Sequence, residues 1–260
     1  MAASEQTDLR IERHGHVTVT EICRPPSNFF DADLLTRLAE AWETLGRDEA
    51  CRAIVLASHG KAFCAGNQHS AETPVDAAAP MPGATIYAAA ARLFRARKPV
   101  VAAVQGAAVG GGMGLALVAD FRIASPEARF WANFSRLGYH AGFGLTATLP
   151  RLVGAQKAAS LLYTGRRISG EEAQNIGLAD ELVDAGALRQ RAIAFAQEIA
   201  SSAPFAVQSM RTTLRRDLIA SVETAMEREF SEQSWQRTTA DFNEGKAAIA
   251  ARRDPDFAGR

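Results

Sequence analysis

Cysteine is scarce, net charge is absent, and only one long apolar run occurs in the 260 residues. The three cysteines, Cys23, Cys51 and Cys64, have neither the spacing of a metal site nor a paired framework, so free thiols in a reducing, cytoplasmic setting are expected and no metal is. Lys plus Arg and Asp plus Glu stand at 29 each, without the basic excess that a nucleic-acid partner favours. The one run long enough to tempt a membrane assignment, Pro99–Ala119, holds five glycines and Gln105 and has no companion. A buried strand and helix fit it better than a span. The opening MAASEQTDLR is polar and mixed in charge, so no signal peptide is expected there.

What is present organises itself around Pro99–Asp120, PVVAAVQGAAVGGGMGLALVAD. The pattern predicts a strand to Val104, a turn at Gln105-Gly106, and a helix that starts at Gly110, Gly111 and Gly112. Glycine allows close backbone approach, and the first amides of a helix lack intrahelical acceptors at the positive end of its dipole. Such amides can hold an anion or a carbonyl oxygen becoming one. The plainer reading of a glycine cluster is close packing of helix on sheet.

A hydrophobic share of 47% suits one large domain with a sizeable core, or one domain with an appendage. Alternation in His16–Thr20 predicts a strand after a turn at His14-Gly15, and Asp31 can cap a helix through Leu34, Leu35, Leu38 and Trp42. Arg52–Ala57 reads as a strand buried on both faces, Ser70–Gly83 as a loop, and Tyr87–Arg97 as a helix feeding the central stretch. Short strands are expected at Phe121–Ala124, Arg129–Trp131 and Glu181–Val183, with helices at Thr146–Leu152, Ala155–Tyr163 and Gly170–Gly177. From Leu188 to Arg252 three or four charged, amphipathic helices are expected. The class is α/β, with each strand followed by a helix.

Lys61–Gln68 (KAFCAGNQ) and Ala103–Asp120 closely resemble the two signature segments of the crotonase family, the enoyl-CoA hydratase/isomerase superfamily. The resemblance continues through Ala128–Gly154 and Leu161–Val183 to Thr238–Phe257, in chain order. It implies a crotonase-like spiral of ββα units over residues 1–200 and a helical C-terminal region, 201–260, serving oligomerisation or as a lid. It further implies a homotrimer or dimer of trimers, and acyl-coenzyme A thioesters as substrates, with coenzyme A entering only as part of the substrate and no other cofactor. By the resemblance, the two amides that polarise the thioester carbonyl belong to Asn67 and Gly111. Lys61, Phe63 and Ala65 match the positions that hold coenzyme A, and Lys246 or Arg252 could reach its phosphates.

The chain departs from the family where the resemblance sets acid and base. The two hydratase glutamates fall on Gly114 and Phe134, and the aspartate of the dienoyl isomerases and dehalogenases falls on Gly142. Gln68 stands where an aspartate is common after the first motif. Polar candidates near the inferred pocket are Asn67, Gln68, His69, Asn133, Ser135, Tyr139 and His140. His140, between glycines, is the preferred acid/base, because histidine titrates near working pH; the alternative is an ordinary hydrogen-bonded loop histidine. Tyr139 is a second candidate and Phe134 a wall of the acyl pocket. Phe130, Trp131, Phe134 and Phe143 hint at a bulky or aromatic acyl group, although such residues are more often core. Arg166-Arg167 reads as a solvated pair, Cys64 as no nucleophile, and Asp120 as structural. Three readings stay open: an acyl-CoA lyase, isomerase or hydrolase; a non-catalytic acyl-CoA-binding protein; and a scaffold.

Overall fold

Valine, isoleucine and alanine runs too short for helices make the strands, in a computed structural model that describes residues 8–67 and 82–260. Gln68, His69 and the loop up to residue 81 lie outside the described residues. In chain order the first elements are β1 (Leu9–His14), β2 (Val17–Ile22), α1 (Ala32–Arg47), β3 (Ala53–Ser58), α2 (Pro82–Phe94), β4 (Val100–Val104), β5 (Ala107–Val109) and α3 (Gly111–Val118). Then come β6 (Phe121–Ala124), β7 (Arg129–Trp131), α4 (Leu145–Val153), α5 (Ala155–Thr164), β8 (Arg167–Ser169), α6 (Gly170–Asn175), β9 (Glu181–Leu182), α7 (Leu188–Ala200), α8 (Pro204–Gln236) and α9 (Ala240–Ala251). A 3₁₀ turn spans Ser135–Leu137.

The larger sheet among the described residues runs β1-β2-β3-β4-β6-β9, antiparallel only between β1 and β2. Strands β2, β3 and β4 are buried along their whole length, as expected for parallel strands covered on both faces. Their period of two divides the core. Val17, Val19, Val55 and Val101 meet Leu188, Ala192 and Ala196 of α7. Ile22, Ile54, Leu56 and Ala102 belong to the larger cluster, with Leu34, Leu38 and Trp42 of α1. Each such valine, leucine or isoleucine contributes roughly 1.5–3 kcal/mol by leaving water. Asp31 caps α1 by accepting from Leu34 N–H at 2.8 Å, as the sequence predicts.

Two short strands are additions to the sequence reading. β5 lies between the expected turn at Gln105-Gly106 and the helix at the glycines, and β8 holds Arg167; with β7 they make a second sheet, β5-β7-β8. Arg167 is therefore not simply solvated: its guanidinium lies 4.5 Å from the centre of the Trp131 ring, while Arg166 pairs with Glu172 at 2.6 Å. Helix α2 begins at Pro82, earlier than the expected Tyr87.

Residues 201–260 are helical and pack on the same core: Leu218, Val222 and Met226 of α8 and Phe242 of α9 belong to the large cluster. Asp120, at the C-terminal end of α3, anchors α8 by accepting from Arg211 Nε at 2.9 Å and Arg215 Nη1 at 2.8 Å. Helix α9 lies directly on the 3₁₀ turn. A Cβ at Gly138 would sit 2.6 Å from Asp241 O, and one at Gly245 the same distance from Leu137 O, so only glycine permits this approach. Among the described residues no helix is long and apolar enough to cross a membrane.

Candidate active site

The two resembling segments are zipped together by backbone. Cys64 N–H donates to Ala107 O at 2.9 Å, and Val109 N–H returns to Cys64 O at 3.0 Å. On the other side Ala65 N–H donates to Ser27 O at 2.9 Å and Phe30 N–H to Gly66 O at 3.0 Å. Gly110 N–H is taken by Trp131 O at 2.8 Å. The next amide along each segment, Asn67 or Gly111, donates to no acceptor among the described residues. Gly111 is the first residue of α3, so its N–H also carries the helix dipole.

Glycine is required where the segments touch. Gly66 has φ +90°, and a Cβ on Gly112 would fall 2.0 Å from Cys64 O. Gly111 has no room for a side chain either, because its Cβ would lie 2.6 Å from Phe30 Cζ.

Asn67 and Gly111 line one cavity of about 90 Å³. Its apolar wall is Phe30, Ile86, Phe134 and Phe143; the rings of Phe30 and Phe143 stand 5.4 Å apart. Phe143 holds φ +63°, a strained value for a phenylalanine that costs on the order of 1–3 kcal/mol. The strain puts its side chain beside α3: a Cβ at Gly114 would sit 2.6 Å from Phe143 Cβ. The cavity is open on one side, and its innermost part is smaller than the ~150 Å³ that takes a benzene ring. Phe130 is core, and Trp131 spends its Nε1–H on Gly165 O.

The polar wall is Tyr87 from α2, Tyr139, Gln233 from α8, and Arg237 just past it. A Cβ at Gly142 would meet Gln233 Nε2 at 2.5 Å and Tyr87 Oη at 2.6 Å, so these two side chains fill the space that a residue at 142 would use. Tyr87 Oη is buried, and among the described residues the Phe143 backbone N–H is the hydrogen-bonding group that faces it. Burial, reinforced by the negative charge of Glu229, pushes its pKa well above the usual phenol value, so it stays protonated. Burial likewise pushes Tyr139 up to about 12. Glu229 is not a free acid: its oxygens accept from Gly144 N–H at 2.8 Å, Thr146 N–H at 3.0 Å and Thr146 Oγ1 at 2.6 Å. It caps α4 and fixes the face of α8 that carries Gln233 one turn later.

The expected residues divide. Asn67, Gly111, Phe134 and Tyr139 come together. His140 does not line this cavity; it lies with Trp235, Gln236 and Thr239 at a separate depression. The reason is α8. Gln236 takes the His140 N–H and Gln233 donates to the His140 carbonyl at 2.9 Å, while His140 Nδ1 is spent on Ala141 O at 2.7 Å. Lys61 is exposed beside another depression, with Gln105 and Arg189. Phe63 is fully buried core, and Ala65 is half-buried behind its bond to Ser27. Lys246 lies over the Phe242 ring on α9, and Arg252 ends that helix. Burial pushes the Cys64 thiol up to about 12, consistent with the expectation that it is no nucleophile. Tyr87, Gln233 and Arg237 were not foreseen: they sit in helical patterns far apart in the chain, with no local motif to mark them.

Two unspent amides facing an apolar cavity can stabilise an oxygen that gains negative charge. A family profile described as enoyl-CoA hydratase/isomerase matches residues 12–260. The chain is 31% identical over 239 residues to a 1,2-epoxyphenylacetyl-CoA isomerase of Escherichia coli (strain K12), covering 90% of this chain and 91% of that protein. It is 33% identical over 266 residues to an (E)-benzylidenesuccinyl-CoA hydratase of Thauera aromatica, covering 96% and 99%. The crystal structure of an enoyl-CoA hydratase/isomerase from Pseudoalteromonas atlantica T6c superposes with a TM-score of 0.86 at 29% identity, covering 97% of this chain and all of that one.

Proposed function

Because the chain belongs to the enoyl-CoA hydratase/isomerase family, we propose that it performs enolate chemistry on a short acyl-CoA thioester. The thioester oxygen sits between the Asn67 and Gly111 amides, and Tyr87 is the proton donor to the acyl chain. The observation that carries this reading is that two amides without acceptors open on one cavity. Hydration and double-bond isomerisation both pass through that oxyanion. An acyl-CoA isomerase and an acyl-CoA hydratase are both similar to the chain.

Tyr87 takes the role that the sequence reading gave His140. It borders the cavity and is held neutral, which suits a donor to the enolate carbon; in the reverse, enolising direction the phenolate left behind takes the proton from Cα. The sequence reading sets Gly114 and Phe134 at the glutamate positions. The crowding of Gly114 by Phe143 supports a mechanism without a carboxylate there. A homotrimer or dimer of trimers is part of the same proposal, supported by Phe205, Met210 and Leu214, which α8 leaves exposed.

The test is deuterium uptake at Cα of a saturated short-chain acyl-CoA in D₂O, which reports enolisation whatever step follows. The expected result is protein-dependent uptake that Tyr87→Phe lowers at least about tenfold, the loss of one hydrogen bond to a charged group, with acyl-CoA affinity retained. Uptake no faster than without protein, with binding intact, would favour the non-catalytic acyl-CoA-binding reading.

A further inference from the structure

An arginine without a carboxylate borders the proposed acyl cavity. Arg237 follows α8 at its C-terminal end and lines the cavity with Gln233 and Tyr87. Among the described residues no Asp or Glu pairs with it. Among the described residues its one side-chain hydrogen bond donates Nη2 to Gln233 Oε1 at 2.9 Å, and its buried Nε meets no acceptor. The guanidinium is nevertheless held in place. Its centre lies 5.5 Å from the centre of the Tyr139 ring, and Gln233 is itself anchored on the His140 carbonyl at 2.9 Å. Tyr139 is wedged edge-on between Phe134 and Phe242, so its position is fixed by packing.

Among the described residues the surroundings do not supply the missing charge. Glu229, two turns earlier on the same face of α8, has its oxygens taken by Gly144 and Thr146. The rest of the wall is aromatic or aliphatic, apart from the Asn67 and Gln233 amides and the tyrosine hydroxyls. A buried donor left unmade is costly, and one on a cation more so. Arg237 borders one small cavity, and an anion inside it gives the guanidinium the counter-charge that no described residue supplies.

The geometry points to an acyl group that carries its own carboxylate: the substrate is the coenzyme A monothioester of a short dicarboxylic acid, with the distal carboxylate on Arg237. This inference rests on the acyl-CoA reading above and narrows its substrate class. The thioester end is held by the two backbone amides and the carboxylate end by the α8 face, with Phe30, Phe134 and Phe143 around the chain between. Gln233 acts as a positioning residue, since it holds the guanidinium and leaves the planar edge open for carboxylate.

The test uses two thioethers of coenzyme A that do not turn over. Both carry the same short chain, ending in a carboxylate in one and in the isosteric carboxamide in the other. Their dissociation constants for the wild-type protein are measured by calorimetry. The expected result is a preference for the carboxylate of about tenfold or more. Arg237→Met should bring the ratio to near one, and Gln233→Glu, which sets a carboxylate beside the guanidinium, should lower it. Equal affinity for the two analogues in the wild type overturns the inference and leaves the acyl-CoA reading standing, as does a preference that survives Arg237→Met. Failure of both analogues, and of coenzyme A itself, to bind would overturn the acyl-CoA reading and the inference with it. The wild-type pair decides even if a variant does not fold.

Discussion

Replacing Asp120 with alanine is expected to cost about 3–5 kcal/mol of stability, the usual penalty for breaking a buried ion pair from one side. The measurement is urea unfolding, with the midpoint lowered and the slope unchanged. The carboxylate accepts from Arg211 Nε, Arg215 Nη1 and the Val100 N–H, and without it two buried guanidinium groups lose their counter-charge. Arg211 Nη2 and Arg215 Nε already lack partners, so little spare capacity exists to absorb the loss. The position is structural leverage: Asp120 joins the end of α3 to β4 and to α8, the elements that carry Gly111, the strand beside it and Gln233.

The same group sets a pH dependence whose sign can be worked out. Burial would raise the Asp120 pKa, but the charges of Arg211 and Arg215 outweigh it and hold the value below the ordinary 3.8. A depressed folded-state pKa gives stability that is fully present above the unfolded value. It is lost as pH falls through the folded one. Wild-type stability should therefore decline below about pH 4. Asp120→Asn should flatten that part of the decline, while lowering stability at neutral pH.

An ester in place of the backbone amide at Gly111 should slow thioester enolisation by about 10²–10³, roughly 2.7–4 kcal/mol of transition-state stabilisation. The exchange removes one N–H and adds no side chain. That matters because any Cβ at this position collides with Phe30. Gly111 N–H has no acceptor among the described residues, so its loss breaks no bond of α3; the ester weakens one acceptor, Gly110 O, which takes the Gly114 N–H at 3.2 Å. The fold should be unaffected, and stability measured alongside should stay within about 0.5 kcal/mol of wild type.

The central strands and the glycine segment were legible for different reasons. β3 and β4 announce themselves because residues buried on both faces leave continuous apolar runs, β2 by its alternation, and α1 because Asp31 precedes a helical period. Asn67 and Gly111 were legible through motif resemblance, since amide donors depend on glycine-permitted backbone paths rather than on side chains. β5 and β8 were not: three residues cannot display a period, and both exist because β7 lies between them. Tyr87, Gln233 and Arg237 were hidden for a related reason. Each sits in a helix whose pattern explains it locally, and only the docking of α8 against α2 and α4 gathers them at one cavity. His140 is the converse case: flanking glycines suggested proximity to the centre, whereas hydrogen bonds with Gln233 and Gln236 hold its loop and the residue lines another depression.

The most direct measurement of the two-amide claim is the infrared carbonyl band of a short acyl-CoA, ¹³C-labelled at the thioester carbon, bound to the protein. Two preorganised N–H donors polarise the carbonyl, so the band should fall to lower wavenumber than in water and return part of the way with the ester at Gly111. A bound thioester whose carbonyl band matches that in water, and does not respond to the ester, would contradict the assignment of Asn67 and Gly111 as the oxyanion donors.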